Sequence, residues 1–131
     1  MPADAAKGEG IRFLLTTEFV YWHLQGREDA VGLLTALASA GRPYISAVSL
    51  LELQVLAAGQ SPEGIALIEA LRVAPVTAQI AARAAELLRE PDWVLDSGQA
   101  LVVATCLVEG FVLVHTWAER VARAGLLEIS L

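Results

Sequence analysis

Glu52 is the residue whose place in the sequence most favours a chemical role. It lies in the stretch GRPYISAVSLLELQVLAAG (residues 41–59), where a short apolar strand ending at Ser46 leads directly into a helix. The core-facing stripe predicted by helical spacing consists of Val48, Leu51, Val55 and Leu56. Glu52 lies beside that stripe, so its carboxylate either reaches solvent at the edge or points into a cleft, where it could act as an acid, a base or a metal ligand.

The remaining elements alternate between strands and helices. Apolar strands are predicted at residues 11–15, 43–46, 73–76, 111–114 and 126–131. Besides the helix with Glu52, helices are predicted at residues 16–24, 28–40, 61–71, 77–88, 100–108 and 117–124. Short apolar strands between helices specify a parallel α/β sheet, here of four or five strands. We expect residues 11–131 to form a single domain and residues 1–10 to be a flexible tail.

Polar residues stand at the carboxyl ends of these strands. Thr16 to Glu18 follow the first strand, Ser46 ends the second, and His115 to Trp117 follow the fourth. Ligands of parallel sheets bind at that edge. The pattern therefore predicts a cleft there, with Ser46, His115 and Thr116 among its lining. A histidine in such a cleft could act as an acid or a base, and a tryptophan could stack on a nucleobase.

Composition narrows the class of protein. Apolar residues make up 56% of the 131-residue chain, charged residues 18%, and no apolar run is long enough to span a bilayer. The apolar surplus favours a tight core together with an apolar surface patch, most simply a homodimer interface. A net charge of −6 argues against nucleic-acid binding by bulk electrostatics. Cys106, the single cysteine, is predicted to be a packed core thiol in a cytoplasmic protein.

A strand ending in Ile45-Ser46 and a helix carrying Leu50-Leu51-Glu52-Leu53 resemble the second motif of the PIN domain, the fold of VapC-type toxin ribonucleases. The resemblance extends in order over Ile11 to Leu131. It implies a three-layer α/β/α fold with a central parallel sheet and a homodimer. It also implies a VapB-like antitoxin, or a sister PIN protein, as a partner.

PIN nucleases gather carboxylates at the carboxyl edge of the sheet to hold one or two Mg²⁺ or Mn²⁺ ions. Such an ion retains several waters, one of which can be deprotonated and directed at a phosphodiester. Carried over by motif, the family's four positions fall on Thr16, Glu52, Gln99 and Trp117. Gln99 opens the segment QALVVATC, which resembles the third motif closely except at its aspartate. Only Glu52 is acidic, so the resemblance implies a degenerate site without metal and a binding or regulatory module.

A relocated acidic site is the competing hypothesis. Asp96 lies one helical turn before Gln99, while Glu18 and Glu119 each follow a motif position by two residues. Together with Glu52 these acids could rebuild a metal site, in which Glu52 and Asp96 would be the metal ligands. The protein would then be an active Mg²⁺- or Mn²⁺-dependent endoribonuclease that cleaves RNA. Asp96 is also explained as a helix cap, and Glu18 and Glu119 as first-turn acids.

A third hypothesis is a binder of a small ligand or of an RNA end. It would use the cleft around Thr16, Gln99 and His115. In that arrangement Trp117 fills the space that an ion and its waters would otherwise occupy.

Overall fold

A five-stranded parallel sheet organises the computed structural model, which describes residues 10–118 and 120–131. The strands are β1 (Ile11–Leu15), β2 (Gly41–Ser46), β3 (Arg72–Ala74), β4 (Val112–His115) and β5 (Glu128–Ser130), in the spatial order β3-β2-β1-β4-β5. The helices are α1 (Thr17–Leu24), α2 (Glu28–Ala40), α3 (Ala47–Val55), α4 (Ala57–Gln60), α5 (Pro62–Ala70), α6 (Ala78–Leu88) and α7 (Ser97–Glu109). The predicted parallel α/β sheet is confirmed.

The central strand β1 pairs with β2 on one side and β4 on the other, with Leu15 opposite Ile45 and Val114. The close approach of β2 to β1 depends on Gly41, because a Cβ there would lie 2.1 Å from the main-chain oxygen of Ile11. Gly41 both caps the end of α2 and begins the strand that leads to Glu52.

Two hydrophobic clusters cover the two faces of the sheet. Leu14 and Leu113 belong to the cluster that contains α6 and α7, whereas Leu15 and Val114 belong to the cluster that contains α1, α2 and α3. Neighbouring residues of one strand thus serve opposite faces, which makes β1 and β4 apolar throughout. The arrangement is the predicted three-layer α/β/α fold. Cys106 is buried in the first cluster, and this burial raises the pKa of its thiol.

The face of α3 that packs on the core differs from the prediction. Leu51 and Val55 are 64% and 77% exposed, whereas Ser49 and Leu53 are fully buried. The helix is short and apolar around most of its circumference, so helical spacing alone does not select one face. The sheet selects it, because Ser46 at the end of β2 fixes the first turn by accepting a hydrogen bond from Val48 N at 3.0 Å.

The carboxyl-terminal region also departs from the prediction. Of the described residues in the predicted helix over 117–124, only Ala122–Ala124 form a helical turn, a 3-10 turn that ends at Gly125. The reason lies in Val121, whose N–H donates to the Glu128 carboxylate at 2.9 Å instead of to a helical carbonyl. Residues 1–9, assigned to the tail, lie outside the described residues, as does Glu119. Within the described ranges, every helix is too short or too polar to cross a membrane.

Candidate functional site

A small cleft opens where the carboxyl ends of the strands meet α1, α3 and α7. Its volume is about 30 Å³. The residues that line it are Thr16, Thr17, Glu18, Ser49, Glu52, Asp96, Gly98, Gln99, Val102 and Trp117. Six positions singled out from the sequence thus meet in one place, although they span about a hundred residues of chain.

Two buried hydroxyl groups in the cleft wall have no hydrogen-bond partner among the residues that the structure describes. They belong to Thr16, which follows β1, and Ser49, in the first turn of α3. The Thr16 N–H donates to Val114 O at 3.0 Å, which ties this end of β1 to β4. The sequence analysis did not single out Ser49 as a site residue. Its spacing of three residues before Glu52 places both on one helical face, and this was the available signal.

Glu52 faces the start of α7. One of its carboxylate oxygens, Oε1, accepts a hydrogen bond from the Thr17 hydroxyl. The other, Oε2, lies 3.6 Å from the position that a Cβ on Gly98 would occupy. A side chain at Gly98 would therefore meet the Glu52 carboxylate at ordinary van der Waals distance. From the sequence, the Glu52 carboxylate was expected either to reach solvent or to point into a cleft. In the structure Glu52 is exposed, and it also lines the mouth of the cleft.

Asp96 and Gln99 bind each other's main chain at the start of α7. The Asp96 carboxylate accepts from Gln99 N at 2.8 Å, and the Gln99 side-chain oxygen accepts from Asp96 N at 3.0 Å. This reciprocal pair is a capping box, which satisfies two amides that the first turn of a helix leaves free. The interpretation of Asp96 as a helix cap is confirmed.

Trp117 closes the cleft on the side of β4. Its indole N–H donates to Glu18 Oε1 at 2.9 Å, and its main-chain N–H donates to His115 Nδ1 at 3.0 Å. The rings of His115 and Trp117 lie 5.3 Å apart between centroids. Ser46, His115 and Thr116 are not among the residues that line the cleft. Ser46 caps α3, and His115 lies fully buried against Trp117.

His115 connects Trp117 to Glu128 on β5. Because Nδ1 accepts the Trp117 N–H, the ring proton lies on Nε2, which donates to Glu128 Oε1 at 2.9 Å. Arg120 Nε lies 2.7 Å from the same oxygen. Sequence reasoning missed Glu128, although an acid between Leu127 and Ile129 in an apolar strand was an available signal.

The Glu128 carboxylate is held ionised by its surroundings. Burial alone would raise its pKa. The hydrogen bonds from His115 and Val121 and the positive charge of Arg120 outweigh that effect, so the pKa lies below its ordinary value. A carboxylate with three donors is a stable anchor for the segment between β4 and β5.

Comparison with known proteins places this geometry in a family. A sequence model of the PIN domain matches residues 13–125, which is most of the chain. The chain belongs to the PIN domain family. A comparison with curated proteins found no match.

Solved structures of toxin–antitoxin proteins share the fold of this PIN domain. VapBC2 from Rickettsia felis, bound to promoter DNA, superposes with a TM-score of 0.76 at 17% identity, covering 92% of this chain and 99% of that one. VapBC from Salmonella typhimurium, bound to DNA, superposes with a TM-score of 0.70 at 21% identity, covering 92% of this chain and 98% of that one. VapC20 from Mycobacterium tuberculosis, a toxin that cleaves the sarcin-ricin loop, superposes with a TM-score of 0.65 at 20% identity, covering 91% of this chain and 99% of that one.

The donor groups in the cleft do not fit the one or two Mg²⁺ or Mn²⁺ ions that the family implies. Within residues 10–118 and 120–131, no three Asp, Glu, His or Cys side chains lie close enough to hold a metal. Thr16 supplies a neutral hydroxyl, and Gln99 has its amide oxygen in the capping box.

The anchoring role of Glu128 predicts a pH-dependent loss of stability. We expect Glu128→Gln to lower the free energy of unfolding at pH 7 by about 1–3 kcal/mol, because it weakens buried, charge-assisted hydrogen bonds. Because the folded-state pKa is lowered, this contribution is complete above the ordinary value of 4.5 and is lost as the pH falls through the lowered pKa. Urea unfolding from pH 7 to pH 3 should show the difference between the two proteins narrowing over that interval.

Glu69→Gln is the matched control for this measurement. Glu69 is exposed on α5. The free energy of unfolding of Glu69→Gln should therefore differ little from that of the parent protein, and the difference should be nearly constant with pH. An equally small and constant difference for Glu128→Gln would contradict the anchoring role.

Proposed function

We propose that this PIN domain has lost ordinary metal-dependent nuclease activity and acts as a binding or regulatory module. The observation that carries the proposal is the neutral chemistry at two positions of the cleft. Thr16 and Gln99 stand where the resemblance to the family implies aspartates, and both line the cleft beside Glu52. Because the number of carboxylates sets the affinity of a site for Mg²⁺, two neutral replacements lower it steeply.

The remaining acids of the cleft already accept hydrogen bonds from the protein. Glu52 accepts from Thr17, Glu18 from Trp117, and Asp96 from the main chain of α7. Binding a metal would compete with each of these bonds. These contacts support the proposal of a binding or regulatory module, because the acids stabilise local structure without a cation.

Restoring the missing acids tests the loss of metal binding. We expect the parent protein to show no cleavage of structured or single-stranded RNA that depends on Mg²⁺ or Mn²⁺. We expect Thr16→Asp/Gln99→Asp to bind Mn²⁺ about tenfold more tightly or better, since two carboxylates are added to the cleft. Calorimetric titration with Mn²⁺ measures the affinity, and RNA incubation with and without EDTA measures cleavage.

The control for cleavage is Glu52→Gln, which removes the one acid at a family position. RNA cleavage by the parent protein that both EDTA and Glu52→Gln abolish would overturn the proposal.

That outcome would support the alternative, an Mg²⁺- or Mn²⁺-dependent toxin endoribonuclease. One proximity favours it: the Asp96 Oδ1 and Glu52 Oε2 atoms lie 3.4 and 3.6 Å from the same ideal Cβ position on Gly98. Two carboxylates that both approach one point could share a cation. In this alternative Asp96→Asn would abolish cleavage as fully as Glu52→Gln.

For the partner of the module we infer an antitoxin-like protein. The Rickettsia felis and Salmonella typhimurium relatives are VapBC complexes. A groove of about 580 Å³ between α1, α2 and α5 offers a surface for a helical segment. Its lining is mainly apolar, with Leu34, Leu67 and Leu71, and carries polar groups on Thr35, Ser39 and His23. An apolar groove of this kind accepts the apolar face of an amphipathic helix.

A charge placed in the groove tests this assignment. The probe is the product of a small open reading frame immediately upstream of the gene, co-expressed with the tagged chain. We expect Leu67→Arg to abolish co-purification, because the groove would then bury an unpaired charge against the partner. Ile65→Arg is the control, since Ile65 is exposed on the same helix and does not line the groove. Equal co-purification with both variants would exclude the groove, and none with the parent protein would exclude this partner.

We infer in addition that the chain forms a homodimer through the exposed side of α3. Leu51 and Val55 lie one helical turn apart and are both well exposed. Apolar side chains so exposed on one helix are typical of a surface that is covered in an assembly. Light scattering after gel filtration should give twice the monomer mass for the parent protein and the monomer mass for Leu51→Glu/Val55→Glu. Val94→Glu, which removes an equally exposed side chain elsewhere, should remain dimeric, and a monomeric parent protein would contradict the inference.

A further inference from the structure

The amino edge of the sheet, opposite the cleft, concentrates positive charge. Arg12 and Arg42 are register partners on β1 and β2, and Arg72 on β3 is the partner of Tyr44. Register partners in a parallel sheet point to the same face, and so do Arg42 and Tyr44, two residues apart on one strand. One face therefore carries three of the nine basic residues in a chain whose net charge is −6.

A pocket of about 150 Å³ opens beside these residues. It is lined by Arg12, Tyr44, Glu109 and Phe111, and by residues 73–75 at the end of β3. The Arg12 guanidinium lies 4.4 Å from the centroid of the Phe111 ring and 6.0 Å from that of Tyr44, and the two rings meet edge to face at 5.0 Å. The aromatic rings hold the guanidinium in place in the pocket wall.

Arg12 has no negative partner among the described residues. Its Nη2 donates to the main-chain oxygen of Glu109, and its buried Nε has no acceptor. No carboxylate of the described chain forms an ion pair with it, although the Glu109 residue lines the same pocket. A half-buried cation without a counter-ion is unfavourable, and an anion entering the pocket would relieve that cost.

We propose that this pocket binds a phosphate group, either free phosphate or the phosphate of a nucleotide. Arg12 lines the pocket with its positive charge, and its Nη1 is a charged donor that a phosphate oxygen could accept from while Nη2 stays bound to the Glu109 carbonyl. Arg72, whose Nη1 lies 3.4 Å from the Tyr44 hydroxyl, brings a second positive charge to the same side. The volume exceeds that of a phosphate group and leaves room for the group that carries it.

The site is separate from the cleft. Arg12 and Thr16 lie at opposite ends of β1, about 13 Å apart along an extended strand. The proposal therefore does not rest on the loss of nuclease activity, and it stands equally for a module and for an active nuclease. Because Glu109 also lines the pocket, we expect its negative charge to oppose anion binding, and a substitution there gives a second test of the site.

Amide NMR titration of the whole chain with inorganic phosphate tests the site. We expect saturable shifts at and around Arg12, Tyr44 and Phe111, with millimolar affinity. Arg12→Gln should weaken binding about tenfold or more, because the positive charge and its charged donor are lost. Arg89→Gln is the control, since it removes the same charge from an exposed site at the end of α6, and it should leave binding unchanged.

Glu109→Gln keeps the main-chain acceptor of Arg12 and should tighten phosphate binding, so the proposal remains testable if Arg12→Gln does not fold. Adenosine monophosphate in a parallel titration identifies the source. Tighter binding than phosphate indicates a nucleotide, equal binding indicates the free anion, and both support the site. No saturable shift, or shifts that Arg12→Gln and Glu109→Gln leave unchanged, would overturn it.

Discussion

The burial of β1 between two neighbouring strands is the constraint on which both edges of the molecule depend. Leu14 and Leu15 are fully buried, one toward each helical layer. Because side chains alternate along a strand, this fixes the register of β1 against β2 and β4. The Thr16 N–H extends the pairing to Val114 O and sets the floor of the cleft. At the other end, the same register fixes Arg12 opposite Arg42 and beside Phe111.

The neutral floor of the cleft follows from the energetics of burial. Thr16 is almost completely buried, and an ionised carboxylate in its place would require a cation or several donors. A threonine avoids this requirement but leaves its own hydroxyl without a partner, as does the neighbouring Ser49. An unpaired hydroxyl costs about 1–3 kcal/mol, which is far less than an unpaired buried charge. The buried hydroxyl of Thr16 therefore costs the fold less than an unpaired carboxylate would at the same position.

The sequence allowed the sheet and its direction to be predicted, because these follow from the alternation of apolar strands and capped helices. The strand ends also predicted a cleft at the carboxyl edge, but Ser46, His115 and Thr116 do not line it. The resemblance of residues 45–53 to one motif extended the prediction to the whole fold. The prediction of which face of α3 is buried was wrong, because Leu51 and Leu53 are equally apolar and only packing against the sheet distinguishes them. Glu128 was missed because its partners, His115 and Arg120, are eight or more residues away and are joined to it only by the fold.

The pairing of Glu128 with His115 explains how the chain holds Trp117 without a regular helix after β4. The imidazole acts as a rigid spacer, because its Nε2–H is committed to Glu128 and leaves Nδ1 as an acceptor for the Trp117 N–H. On the far side the indole binds Glu18 on α1. Trp117 is thus fixed from both sides of the sheet's carboxyl edge. The residue that fills part of the cleft is therefore coupled to the last strand, and a disturbance of β5 reaches the cleft through two hydrogen bonds.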